Sequence, residues 1–189
     1  CRAVLELCKA LNFRPDVVHC NDWQTGLVPL YLRTFNGKEF FSRTAAVMTI
    51  HNIGYQGIFD AADFRLTGLG LDLFNPEGIE FYGKVNFLKA GITASDIITT
   101  VSSTYAKEIL TGEYGYGLDG VLKKHSSRLY GVTNGIDTEE WNPLRDAYIP
   151  QTYGVKDLSG KAVCRRELIK ECSLQLKDQA SPIIAVVGR

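Results

Sequence analysis

The chain lacks net charge and is short of several residue types that mark a function class. Lys+Arg 21 against Asp+Glu 21 leaves a formal charge of +0. No long-range field gathers polyanions, so neither nucleic acid nor an anionic membrane surface is an expected partner. The five cysteines, Cys1, Cys8, Cys20, Cys164 and Cys172, are an odd number and include no C-x-x-C pair. That pattern argues against a disulfide framework and for reduced thiols in a cytosol-like compartment. No apolar stretch approaches the roughly 20 residues a membrane helix needs, and no basic-then-apolar leader with a cleavage site stands at the start. Internal repeats and low-complexity segments are absent as well. What remains is globular: 189 residues at 45% hydrophobic suffice for one full α/β domain and fall short for two. The chain opens on Cys1 rather than Met and stops at Arg189 directly after an apolar run, which leads us to expect a fragment.

Periodicity along the chain alternates between helix and strand. Residues 4–11 are apolar at helical spacing, 16–19 read as a short strand, and Leu27, Val28, Tyr31, Leu32 and Phe35 make a helix stripe over 25–36. Residues 44–50, T-A-A-V-M-T-I, have the unbroken apolar character of a strand covered on both faces. A stretch without clean period, 58–82, precedes a predicted helix over 84–94, a strand over 96–101 and a helix over 102–110 capped by Ser102 or Ser103. A short helix over 118–124 and a strand over 128–133 follow. The alternation predicts right-handed crossovers, a parallel sheet and a doubly wound α/β architecture. Prolines at 143 and 150 punctuate an irregular polar stretch. We therefore expect a first unit over 1–145, a linker over 146–158 and the opening of a second unit over 159–189. The second unit is predicted to hold a helix over 161–176 capped by Ser159 and a buried strand over 183–187.

Three polar signatures follow apolar runs: H-C-N-D-W at 19–23, H-N-I-G-Y-Q-G at 51–57 and T-N-G-I-D at 133–137. The carboxyl ends of neighbouring parallel strands converge on one crevice, so residues distant in sequence can share one site there. Asp22 reads either as a cap for the following helix, with Trp23 packed beneath, or as a site carboxylate. His19, Cys20 and Asp22 do not read as a metal set, because successive strand residues point to opposite faces and no second Cys/His pair follows. His51 leads a loop that Asn52, Gly54 and Gly57 allow to turn back tightly over a ligand. Its imidazole can donate to a sugar hydroxyl, its carbonyl can stabilise developing positive charge, or it merely holds the loop. Tyr55 stacks on a ring or covers that loop. Asn134, before Gly135, is a turn residue or a side-chain amide for hydroxyl recognition. Phe59, Phe64, Phe74, Phe81 and Tyr82 offer sugar-stacking faces or hold down a long loop. G-Y-G-L-D-G at 115–120 matches the dinucleotide pattern, yet a helix and a turn precede it where the fingerprint needs a strand. Arg189 stands one glycine past a predicted strand, where a guanidinium can bind a diphosphate.

Taken in order, H-x-N-D-W, H-N-I-G-Y-Q-G, F-L-K-A-G-I-T-A-S-D-I-I-T-T-V-S-S-T-Y-A-K-E-I, G-Y-G-L-D-G and N-G-I-D-x-x-x-W-N-P resemble the bacterial glycogen synthases and plant starch synthases over nearly the whole chain. The resemblance implies the GT-B type of glycosyltransferase, in which nucleotide sugar and acceptor meet between two doubly wound lobes. It implies transfer of glucose from ADP-glucose, with UDP-glucose the lesser candidate, to an α-1,4-glucan with retention, and requires no metal or other cofactor. Asp22 and His51 match the catalytic residues facing the transferred glucose or acceptor, Asn134 matches a cleft residue, and Arg189 matches the arginine that binds the donor phosphates beside a lysine further on. The family's lysine- and glycine-rich donor loop falls before Cys1, so the fragment alone is expected to be inactive. Departures are Ser103 for a usual Pro, Gly188 for a usual Ser, and 164–166 where an Asn-Lys pair is common. A bacterial cytoplasm or a plastid stroma is the implied compartment. Two other functions stay open: a non-catalytic glucan-binding module and a nicotinamide-dependent oxidoreductase, the latter opposed by the misplaced glycines.

Overall fold

The computed structural model describes residues 1–34, 39–178 and 180–188. In chain order the first unit, Cys1–Asn134, contains α1 (Arg2–Ala10), β1 (Val17–Asn21), a 3₁₀ turn (Trp23–Thr25), α2 (Leu27–Thr34) and β2 (Ala45–Ile50). There follow β3 (Ile58–Asp60), 3₁₀ turns, β4 (Glu80–Phe81), β5 (Lys84–Asn86), α3 (Phe87–Ala94), β6 (Ile97–Thr100), α4 (Ser103–Glu108), α5 (Asp119–Lys124) and β7 (Leu129–Gly131). The predicted α/β class is observed. β1, β2, β6 and β7 pair in that order, all parallel. Each crossover carries the chain one strand further in the same direction, so right-handed connections stack the helices on one face, as one arm of a doubly wound sheet does. The strand residues turned to that face are Cys20, Ala46, Met48, Ile50, Ile98 and Thr100, all essentially inaccessible to solvent. The opposite face carries His19, Thr49 and Thr99, joined side by side through His19 Nε2···Thr49 Oγ1 at 2.6 Å and Thr49 Oγ1···Thr99 Oγ1 at 2.6 Å.

The covered face is closed by helices that approach unusually near. Residues 27–32 of α2 are all buried, and Pro29 is tolerated because it falls in the first turn, where backbone N–H groups have no partner within the helix. Gly26 and Gly91 let α2 and α3 meet. A Cβ on Gly26 would lie 2.1 Å from the carbonyl oxygen of Phe87, and one on Gly91 would lie 3.1 Å from Gly26 Cα. The obstacle at Gly26 is backbone, and at Gly91 it is Met48 Sδ at 2.9 Å as well as backbone. Gly26→Ala is therefore expected to destabilise the protein by about 3 kcal/mol, read as a fall in the urea midpoint. A loss under about 1 kcal/mol would mean that the helices separate freely.

Two expectations about elements need correction, and one alternative is decided. Residues 84–86 extend as a strand, and the helix begins only at Phe87, because the Asn86 side chain caps it by accepting from the Lys89 N–H at 2.9 Å. Within 58–82, where no period was visible, β3 and β4 flank β5 in a small antiparallel sheet. Its aromatics join the main core: Phe59 packs between Trp23 and Phe87, and Phe64 packs on Phe74, while Tyr82 stays exposed. Ser102 is the cap of α4, accepting from the Tyr105 N–H at 2.9 Å.

The second unit is Gly135–Arg189. It holds α6 (Ser159–Glu171) and a loop in which Gly154 and Asp157 exchange backbone hydrogen bonds. Ser159 begins this helix and does not cap it; the Asp157 carboxylate accepts from the Ser159 N–H at 2.9 Å. Residues 183–187 form no strand, with Ile184, Val186 and Val187 almost fully exposed. A strand exists only where a neighbour takes up its backbone groups, and among the described residues none lies alongside. The predicted stripe residue Phe35 and Arg189 lie outside the described residues. No helix among those described is long and apolar enough to cross a membrane.

Candidate active site at the carboxyl edge of the sheet

Parallel pairing of β1 with β2 sets Asn21 opposite Thr49, so the residues leaving the two strands emerge side by side. The Asp22 N–H donates to Thr49 O at 2.9 Å, which prolongs the ladder by one step. The chain must then bend into the 3₁₀ turn, and Asp22 does so at φ 55°, ψ −177°. That region is almost reserved for glycine and costs another residue about 1–3 kcal/mol. Asp22 does not cap the turn that follows. Its Oδ1 instead accepts from the backbone N–H of His51 at 2.8 Å. The imidazole of His51 is held as well, with Nε2 2.9 Å from Asn21 Oδ1. Strain, carboxylate and imidazole thus converge at the ends of two adjacent strands.

The loop after His51 is fastened at nearly every residue. Asn52 Oδ1 accepts from the Gly54 N–H at 2.9 Å, and the buried Ile53 donates its N–H to the Tyr105 hydroxyl at 3.1 Å. Gln56, only 6% exposed, donates to Tyr116 O at 3.0 Å and accepts from Asn86 Nδ2 at 2.7 Å. Gly57 turns at φ +62° against the face of Trp23. Tyr55 stands out, 68% exposed, beside a concavity of about 390 Å³ lined by Trp23, Tyr55, Gln56, Ile58 and Phe59. A ring face and a hydroxyl on one exposed side chain suit an amphipathic ligand such as a sugar.

Asn134 follows β7 and is exposed, and among the described residues it makes no hydrogen bond to Asp22, His51 or Tyr55. The structure joins Asp22 to His51, with Tyr55 four residues further along the same loop and Asn134 an exposed amide after β7. No strand runs into Gly115; α4 and turns occupy 103–118, which removes the structural context a dinucleotide fingerprint needs. His19 and Cys20 point to opposite faces of the sheet. Burial pushes the Cys20 thiol up to about 11, so it stays protonated. Lys89 is buried at 3%. Burial lowers its pKa while the Glu80 and Glu77 carboxylates oppose the shift. Its ammonium donates to the carbonyls of Pro76 (2.7 Å) and Glu80 and so ties the 76–80 loop to α3.

Sequence reasoning missed Asn21, Gln56, Asn86 and Tyr105 as the parts that hold this site. Asn21, Gln56 and Tyr105 lie inside the quoted motifs and Asn86 directly before one, and that placement was the only signal that could have flagged them.

The fold and the site define an α/β lobe whose ligand crevice opens at the carboxyl ends of parallel strands. Residues 1–124 match the family described as the starch synthase catalytic domain, and the chain belongs to that family. It is 51% identical over 189 residues to a glycogen synthase of Thermodesulfovibrio yellowstonii, covering all of this chain and 38% of that protein. It is likewise 51% identical over 191 residues to glycogen synthase 2 of Geobacter metallireducens, covering all of this chain and 39% of the relative. The chain thus spans well under half the length of the curated relatives it matches. Among solved structures it is similar to the catalytic domain of starch synthase IV from Arabidopsis thaliana bound to ADP and acarbose. That match has 36% identity and a TM-score of 0.79, and covers 94% of this chain and 37% of that one.

Proposed function

We propose that the gene product containing this chain is a glucosyltransferase that moves glucose from ADP-glucose to the non-reducing end of an α-1,4-glucan with retention of configuration. The observation that carries this reading is the pairing of Asp22 with His51 at the sheet's carboxyl edge, in a chain half identical along its length to glycogen synthases. ADP and acarbose on the starch synthase IV domain favour an adenine nucleotide donor and a glucan acceptor over the oxidoreductase alternative.

In this reading residues 1–145 are the latter part of the first lobe, 146–158 the linker and 159–189 the start of the nucleotide-sugar lobe. Asp22 and His51 orient the transferred glucose and the acceptor hydroxyl, Tyr55 offers a stacking face, and Asn134 supplies an amide to the cleft. Arg189, with a lysine beyond it, neutralises the departing diphosphate, so cationic side chains do the phosphate work. The acceptor hydroxyl attacks from the face the diphosphate leaves, with no covalent glycosyl-enzyme intermediate. Closure of two lobes would exclude the water that otherwise hydrolyses the donor. A bacterial cytoplasm or plastid stroma suits these substrates.

The test is incorporation of radiolabelled glucose into glycogen by the full gene product, with ADP-glucose or UDP-glucose, for the unaltered protein and for His51→Ala and Arg189→Ala. Incorporation from ADP-glucose that falls on the order of 100-fold in both variants is expected. A well-folded protein that binds glycogen but incorporates nothing from either donor would replace this reading with the glucan-binding module.

A further inference from the structure

We infer that Asn21 is a positioning residue for His51: its amide oxygen holds the imidazole as the Nε2–H tautomer and leaves Nδ1 as a hydrogen-bond acceptor for a substrate hydroxyl. The inference rests on the proposed transferase reading for its link to activity and on the site geometry for the rest. Asn21 Oδ1 lies 2.9 Å from His51 Nε2. An amide oxygen only accepts, so the ring nitrogen it meets carries the proton, and the second ring nitrogen then carries a lone pair. Among the described residues nothing bonds to that second nitrogen.

Asn21 is itself well placed to act as an anchor. It is the last residue of β1, paired in register with Thr49. The Thr25 hydroxyl grips its main chain at both ends, accepting from the Asn21 N–H at 2.7 Å and donating to the Asn21 carbonyl at 2.8 Å. The next residue, Asp22, holds the backbone N–H of His51. Residues 21 and 22 therefore grip His51 at two points, one on the ring and one on the main chain. An exposed imidazole without the first grip would rotate between staggered wells and share its proton between two nitrogens. With it, one direction and one tautomer are set before substrate arrives, which is the form of preorganisation that lowers a barrier. A neutral ring offering a lone pair fits a sugar hydroxyl and fits an anionic oxygen poorly.

The experiment uses the full gene product labelled with ¹⁵N-histidine, above the ordinary histidine titration range. Long-range ¹H–¹⁵N correlations report which ring nitrogen is protonated, and the His51 signals are assigned by their loss in His51→Gln. The unaltered protein is expected to show Nε2–H. Asn21→Leu should give mixed tautomers and a kcat lowered roughly tenfold or more. Asn21→Asp, which keeps an acceptor oxygen, should restore Nε2–H and most of kcat. Asn21 and His51 are both exposed, so all three variants are expected to fold, with circular dichroism as the check. Nδ1–H in the unaltered protein, an unchanged tautomer in Asn21→Leu, or a changed tautomer with kcat intact would each overturn the inference. If the ring follows the expected pattern while the unaltered protein transfers no sugar, the anchor is supported and the transferase reading fails.

Discussion

Asp22→Gly is expected to be more stable than Asp22→Ala by about 1 kcal/mol, the reverse of the usual order for these two residues. Both replacements lose the carboxylate that accepts from the His51 N–H, so they differ only in backbone. Alanine at φ 55°, ψ −177° keeps the full strain of about 1–3 kcal/mol, whereas glycine occupies that region freely. Against this, glycine gives up about 0.5–1 kcal/mol through the entropy of the unfolded chain. The difference favours glycine, and urea denaturation of the two variants measures it. Equal stabilities, or alanine ahead, would mean the strain is not there.

Activity should ignore that order. Either variant frees the His51 main chain from its clamp and removes the carboxylate that holds it. Sugar transfer by the full gene product is expected to fall on the order of 100-fold in both, the scale set by a displacement of about 1 Å at a reacting centre. Asp22→Asn keeps an acceptor oxygen, and asparagine tolerates positive φ better than most residues. It should therefore fold like the unaltered protein, and its residual activity separates the carboxylate's charge from its hydrogen bond. A stable but inactive Asp22→Gly would identify residue 22 as a place where stability is given up for geometry.

Elements whose signal is local were legible. Residues 44–50 read as a strand from their unbroken apolar run, and 45–50 form one, with Ala46, Met48 and Ile50 buried on one face while Val47 and Thr49 are at least partly covered on the other. Ser102 or Ser103 read as a cap because a hydroxyl before a helix has one obvious task, and the structure gives it to Ser102. By contrast, β3, β4 and β5 run two or three residues each, too short for any period to show. The 183–187 stretch has strand composition, and composition cannot supply the neighbour a strand requires. The site divides in the same way. His51 and Asp22 stood out as polar residues following apolar runs. That Asp22 serves His51 rather than its own helix depends on the β1–β2 register, and so does the task of Asn21. Gln56 and Asn86 meet across 30 residues of sequence, where no spacing rule reaches.

Gly57→Ala is expected to be the most damaging single methyl group in the site, lowering stability by about 3 kcal/mol and disabling the loop. Gly57 sits at φ +62°, and a Cβ there would lie 2.4 Å from Trp23 Cε3 and 2.7 Å from Trp23 Cδ2. The left-handed conformation alone costs alanine about 1–2 kcal/mol, and overpacking adds about 1–3. Trp23 has little room to retreat, since Phe59 lies against it at 5.8 Å between ring centroids and Phe87 lies behind Phe59 at 4.8 Å. Moving the loop instead is also costly: Gly57 O accepts from the Phe87 N–H and Gln56 O from the Leu88 N–H, satisfying two of the donors that the start of α3 leaves open. Gly83→Ala is the control. It shares the positive φ, at +79°, but its Cβ would meet nothing within 4 Å, so only the conformational cost of about 1–2 kcal/mol should appear. Urea midpoints for the two variants then read the Trp23 contact as their difference. Matching losses at both glycines would show that the ring yields freely, and that the tight packing of Trp23 beneath the His51 loop does not hold the loop in place.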